Sequence, residues 1–136
     1  MEQAAEAPLP PVPVNNIETR EPATGGLSLN AYSARALATA IYPNRGNNVT
    51  YAALGLVGEA GEVADKVKKV IRDHDGRFDD PCVKTKLAAE VGDVLWYAAA
   101  MADELGYSLE DIAQMNLDKL ADRRARNVIK GSGDER

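Results

Sequence analysis

The chain has 136 residues, 45 % of them apolar and 27 % charged, with a formal net charge of −5 at pH 7. That is the length of one domain, able to bury a sizeable core without staples. The acidic balance argues against general nucleic-acid binding, which needs a basic surface, and the single Cys82 excludes a disulfide framework or a cysteine-built zinc site within one chain.

In chain order, five of the seven prolines (Pro8, Pro10, Pro11, Pro13 and Pro22) come first, followed by Gly25 and Gly26. Proline fixes φ and lacks a backbone donor, so residues 1–27 read as a flexible, polyproline-like arm. Four helices are expected after it. The first runs from about Leu29 to Ile41, with Ser28 or Asn30 as its cap and Pro43 as its stop. The second starts near Thr50 and continues to about Arg72, where a polar loop over residues 73–79 ends it. Asp80-Pro81 is a cap with proline at the first helical position, and the third helix runs from there to Leu105, before Gly106. Ser108 with Asp111 fits a capping box for a fourth helix that reaches about Ile129, and residues 131–136 read as a frayed end. No stretch has a convincing period of two. The fold class is all-α, with aromatic residues at only 5 % and alanine abundant.

Two helices carry acid pairs where a simple amphipathic helix would not. In the third, Leu87, Val91, Val94, Leu95, Ala98, Ala102 and Leu105 form one stripe at 3.6-residue spacing. Glu90, Asp93 and Tyr97 share another face, flanked by Val83 and Met101 on one side and by Ala89, Trp96 and Ala100 on the other. In the second helix the stripe is Leu54, Val57, Ala64, Val67 and Ile71. Glu59, Glu62, Lys66 and Lys69 line a separate face, with Val63 and Val70 beside them. Gly55, Gly58 and Gly61 recur in this helix, each costing about 1 kcal/mol against alanine, which implies a close approach by another helix or a ligand.

If the two helices pack antiparallel, as their short connection favours, Glu59, Glu62, Glu90 and Asp93 converge. Four like charges in a half-buried place need a cation, since repulsion and desolvation both oppose ionisation. Oxygen-only ligands suit Mg²⁺, with Mn²⁺ as a substitute, over zinc or iron, and such a centre seats a polyphosphate. The plain alternative is a pair of solvated faces matched with lysines. On the fourth helix Asn116, Lys119 and Arg123 share a face and are candidates for phosphate oxygens, against the alternative of a salt-bridged surface. Lys66 joins them as a further substrate-binding candidate, and Trp96 is a candidate for stacking on a ligand ring, against the alternative of plain packing.

Other chemistries fail on residues. A di-iron bundle needs Glu-x-x-His pairs, and His74 lies in a loop. Asp73-x-Asp75-Gly76 lacks the first and twelfth ligands of an EF-hand, and no phosphate-cradling glycine loop is present. Cys82 has no histidine partner and reads as a buried or inert thiol. The longest apolar run, Val94 to Ala102, is far short of the ~20 residues of a membrane span. No N-terminal stretch has the form of a secretion signal, so a cytoplasmic protein is expected, in the host cytoplasm if phage-encoded.

Three blocks in order then resemble one family: Gly58-Glu-Ala-Gly-Glu-Val-Ala-Asp-Lys-Val-Lys-Lys69, Glu90-Val-Gly-Asp-Val-Leu-Trp-Tyr97 and Asn116-Leu-Asp-Lys-Leu-Ala-Asp-Arg123. They are similar to the MazG-like nucleotide pyrophosphohydrolases of the all-α NTP pyrophosphatase superfamily, over about residues 28–130. Leu29-Asn-Ala-Tyr32 with Thr39 and Pro43 looks like the first helix of its short members. The resemblance implies a four-helix bundle completed as a homodimer or homotetramer. It also implies hydrolysis of a nucleoside triphosphate between its α and β phosphates, to a monophosphate and pyrophosphate. Glu59, Glu62, Glu90 and Asp93 map onto the metal-binding acids, and Asn116, Lys119 and Arg123 onto the phosphate-contacting end. Under the same resemblance Asn30 and Tyr32 join Trp96 as candidates for reading a nucleotide base. The expected nucleophile is a metal-activated water, oriented or deprotonated by Glu59 or Glu62. Two alternatives stay open: a phosphoribosyl-ATP pyrophosphohydrolase, and a non-catalytic helical module that binds Mg²⁺ or nucleotide. Base and sugar are not legible, and the range runs from house-cleaning to the trimming of particular dNTP pools.

Overall fold

The structure is a computed structural model, and it describes residues 26–126. The expected N-terminal arm lies outside them but for its last two residues, as do residues 127–136. Four helices follow in order: α1 (Leu29–Leu37), α2 (Val49–Asp73), α3 (Pro81–Glu104) and α4 (Leu109–Ala125). No strand occurs among the described residues.

Each helix starts where a side chain takes up an orphan N–H. Ser28 Oγ accepts from Ala31 N at 3.1 Å, and Asp80 Oδ1 from Cys82 N at 2.7 Å with Pro81 beside it. The Ser108–Asp111 capping box is complete in both directions. For α2 the cap is Asn48, whose Oδ1 accepts from Tyr51 N at 3.1 Å, so the helix begins at Val49, one residue before the expected start.

The first helix is four residues shorter than its pattern promised. Past Leu37 the bonds tighten to i→i+3, and Thr39 Oγ1 donates to Ala36 O at 2.7 Å. Trp96 Nε1 donates to the same carbonyl at 3.1 Å. With that carbonyl taken by side chains the helix has no reason to continue. Cys82 is exposed, not buried, because it stands in the first turn of α3 beside the polar loop.

Helices α2 and α3 pack antiparallel and make the main contact of the fold. Against α3 lie α1 and α4, which also touch each other, whereas α4 does not reach α2. Two small cores result. One joins Leu37, Tyr42, Ala52 and Ala100, and the other joins Ala99, Ala102 and Leu109 with Leu29, Tyr32 and Ile112 packed on it. The alanines of α3 let three helices approach it at once.

The face of α2 turned to α3 is not the apolar stripe of the sequence. Ala52 and Val70 are buried there, while Leu54, Val57 and Ile71 are 69 %, 71 % and 59 % exposed. On α3 the stripe is likewise only half covered, with Val91 at 55 % and Leu105 at 48 %. One protomer leaves its most regular apolar faces in solvent.

The turn between α1 and α2 is anchored by an acid at the far end of α3. Glu104 accepts from Asn48 N at 2.6 Å, Gly46 N at 2.9 Å and the Tyr42 hydroxyl at 2.7 Å. Arg45 adds bonds to Asp103 at 3.3 Å and to Leu37 O at 3.0 Å. These bonds, the Asn48 N–H first, hold the Glu104 carboxyl below its usual range. A lowered native pKa contributes stability above the unfolded value near ~4.3 that is lost as pH falls through the native value. Glu104→Gln should therefore lower the Tm at pH 7 by several degrees. Its deficit against wild type should shrink as a thermal-melt series is taken down through pH 4 towards 3.

Candidate functional site

The seam between α2 and α3 sets the site. Residues pair along it in antiparallel order, Gly55 with Tyr97 and, farther along, Lys66 with Glu90. The Tyr97 ring lies so close to the α2 backbone that a methyl group at position 55 would overlap it. Only glycine permits that approach, which accounts for the first of the three interior glycines. Gly58 and Gly61 have open space beside them within the protomer.

One turn on, Glu59 of α2 faces Glu90 and Asp93 of α3. One carboxylate oxygen from each lies within 4.8 Å of the others. Glu59 and Glu90 are half-buried. The nearest counter-charge is Lys66, whose Nζ is 3.1 Å from Glu90 Oε1. Two unit charges 4 Å apart near a protein surface interact by about 4 kcal/mol, so one ammonium does not offset three carboxylates that repel pairwise. An all-oxygen set of this kind fits a hard divalent cation. Glu62, the fourth acid of the sequence pattern, is exposed and not among the three that converge.

Beside the acids opens a cavity of about 360 Å³ lined by Thr39, Glu59, Asp93, Trp96 and Tyr97. Its aromatic wall is rigid. Trp96 is bonded to Ala36 O and, at 3.0 Å, to Thr39 Oγ1, and it meets the Tyr97 ring edge-on at 4.8 Å between centroids. Tyr42 stacks on Tyr51 at 4.8 Å behind them. Burial, then the neighbouring Tyr51 and the charges of Glu59 and Asp93, push the Tyr97 phenol up from its ordinary value. Burial and the Asp93 charge do the same to Tyr32. Tyr97 stays a neutral donor at physiological pH.

The remaining candidates divide. Lys66 borders the acid cluster. Asn116 and Lys119 line a separate cavity of about 370 Å³ with Ile112 and Met115. Arg123, on the same helix, is buried at 7 % exposure. Because α4 does not reach α2, one chain does not place the two cavities on one seam. Asn30 is exposed on the first turn of α1 and lines neither.

Glu104 is a residue that sequence reasoning passed over, and Thr39 enters there only through the first-helix resemblance, without a place at the site. An overlong first helix hides its exposed position at the cavity. Glu104 left a signal: an acid in the last turn of a helix opposes the macrodipole, and α3 has no basic residue there to compensate. Such an acid needs partners from elsewhere.

Comparison with known proteins agrees with this arrangement. The model of the MazG nucleotide pyrophosphohydrolase domain matches residues 48–128, from the cap of α2 through the end of α4. The Gene 37 protein of Mycobacterium phage L5 is 45 % identical over 115 residues, covering 81 % of this chain and 100 % of that protein. No solved structure matches.

Gly55→Ala should force the Tyr97 ring off the α2 backbone, at a cost of about 1–3 kcal/mol in chemical denaturation. Trp96 stands against that ring, so its near-ultraviolet circular dichroism should change while the helical signal stays.

Proposed function

Because the chain belongs to the MazG nucleotide pyrophosphohydrolase family, we propose that it hydrolyses a nucleoside or deoxynucleoside triphosphate between the α and β phosphates, releasing the monophosphate and pyrophosphate. The convergence of Glu59, Glu90 and Asp93 beside an aromatic-walled cavity carries this reading. These three acids would hold Mg²⁺ or Mn²⁺, and the ion, when bound, supplies neutralising charge to the phosphate oxygens. The chain's own residues do the rest. Glu62, at the solvent edge of α2 one turn from Glu59, accepts the proton of the water that attacks the α phosphorus. The bond from that phosphorus to the bridging oxygen breaks, and the oxygen leaves with pyrophosphate. Lys66 neutralises charge on the departing group. Trp96, Tyr97 and Thr39 wall the space in which a base stacks, with Tyr97 as a donor.

A second copy of the chain completes the site in this reading. Leu54 and Val57 on the outer face of α2, with Val91 and Leu95 on the flank of α3, are uncovered large apolar residues, at 69 %, 71 %, 55 % and 38 % exposure. Such surface is characteristic of an interface between copies. It offers a way to bring Asn116 and Lys119 of a neighbour's α4 to phosphates that they do not reach in their own protomer, while Arg123, buried in its own protomer, would hold α4 in place. No helix among the described residues is long and apolar enough to cross a membrane. With a phage protein as relative, the host cytoplasm and its nucleotide pool are the proposed setting.

Two measurements test this. Each common NTP and dNTP is supplied with Mg²⁺, and pyrophosphate and monophosphate are followed. Glu62→Gln should lower kcat by about 10²–10⁴ with metal affinity retained, whereas Glu59→Gln should lose metal affinity as well. Orthophosphate as product, or silence across the panel, contradicts the reading. In light scattering the chain should have at least twice its own mass, and Val57→Asp should reduce both mass and activity.

A further inference from the structure

Farther along the α2–α3 seam, past the Lys66–Glu90 pair, lies a second cavity of about 300 Å³. Lys66, Lys69 and Lys86 line it over Val70, Val83 and Leu87. Lys66 is one turn beyond Glu62 on α2, and Lys86 is one turn before Glu90 on α3. The cavity and the acid cluster are therefore neighbours, with the Lys66–Glu90 contact as their border.

Its electrostatics are the reverse of the chain's. Asp73, the one carboxylate in the lining, is already held by two bonds from Arg72 at 2.6 and 2.7 Å. Lys68 and Lys69 share a single carboxylate, that of Asp65, at 2.5 Å each. Lys66 is matched by Glu90, and no ion pair holds Lys86 among the described residues. Within the lining itself three lysines (Lys66, Lys69 and Lys86) face one carboxylate, Asp73, while Asp65, Glu90 and the more distant Glu62 act on those lysines from outside the cavity. The lining is basic on a chain whose net charge is −5. A concave place with excess positive charge over an apolar floor focuses potential and collects anions.

We propose that this cavity is an anion subsite, which receives the terminal phosphates of the triphosphate and holds pyrophosphate as it leaves, with Lys69 and Lys86 as binding residues. The cavity and its charge define the site. Identifying the anion as pyrophosphate rests on the pyrophosphohydrolase reading above. Position supports that identity, because the extra phosphates of a substrate whose α phosphorus sits at the acids must extend along or off this seam, and here the seam turns basic. Lys69 and Lys86 touch no base-binding group, so their contribution is to the phosphate tail alone.

The test is calorimetric titration of the intact chain with inorganic pyrophosphate in EDTA, so that no metal ion contributes. Wild type, Lys69→Ala, Lys86→Ala and the double variant are compared, with circular dichroism to show that each is folded. Wild type should bind pyrophosphate in a strongly salt-dependent manner, and each exposed lysine removed should weaken binding about tenfold. In turnover, inhibition by added pyrophosphate should weaken in the variants while inhibition by the monophosphate stays the same. Equal pyrophosphate affinity in all four proteins, or no binding by wild type, overturns the subsite. The two proposals fail separately. Binding through Lys86 without release of pyrophosphate from any nucleotide keeps the anion site and refutes the hydrolase reading. Turnover with unchanged pyrophosphate affinity does the opposite.

Discussion

Three carboxylates brought together between two packed helices repel one another, and the rest of the molecule is arranged around keeping them there. The packing of α2 on α3 fixes their positions. The close contact of the Tyr97 ring with Gly55 sets the register, and Lys66 supplies partial compensation at Glu90. A core built from large side chains would push the two helices apart. Here Ala100 of α3 shares a core with Ala52 of α2, both with no exposed surface, and the helices stay close. Close approach is what lets short acidic side chains from opposite helices meet.

That choice has a cost elsewhere. Alanine-rich seams bury little apolar area per residue, so the protomer is thinly packed, and its largest aliphatic side chains lie outside the seam. Two consequences follow. Polar clamps such as Glu104, which holds three donors of the α1–α2 turn, carry work that a larger core would do. The apolar faces of α2 and α3 also stay uncovered in one protomer. The proposed assembly and the proposed catalysis would draw on the same helices.

Much of this was legible in the residues, for identifiable reasons. Helix punctuation is local chemistry, so Ser28, Asp80-Pro81 and the Ser108–Asp111 box mark the starts of three helices without knowledge of the fold. The convergence of Glu59, Glu90 and Asp93 was also legible, because a three-residue repeat on two helices joined by a short loop leaves few other arrangements. What could not be read depends on contacts between distant segments. The early end of α1 depends on Trp96, some 60 residues away, taking the Ala36 carbonyl. Which face of α2 turns inward was hidden, because periodicity locates an apolar stripe without saying whether this protomer or another covers it. The failure of α4 to reach α2 is of the same kind, since helix order does not give helix neighbours. Glu62 shared the spacing of its partners, yet a turn of helix carries it to the solvent edge.

The most direct test of the central claim, that the α2–α3 seam is built as a seat for a hard divalent cation, is a calorimetric titration of the folded chain with Mn²⁺. Wild type and Asp93→Asn would be compared at equal helical content. The account predicts saturable binding by wild type, weakened roughly tenfold or more when that one carboxylate becomes an amide. Identical binding by the two proteins, or none by either, would contradict it.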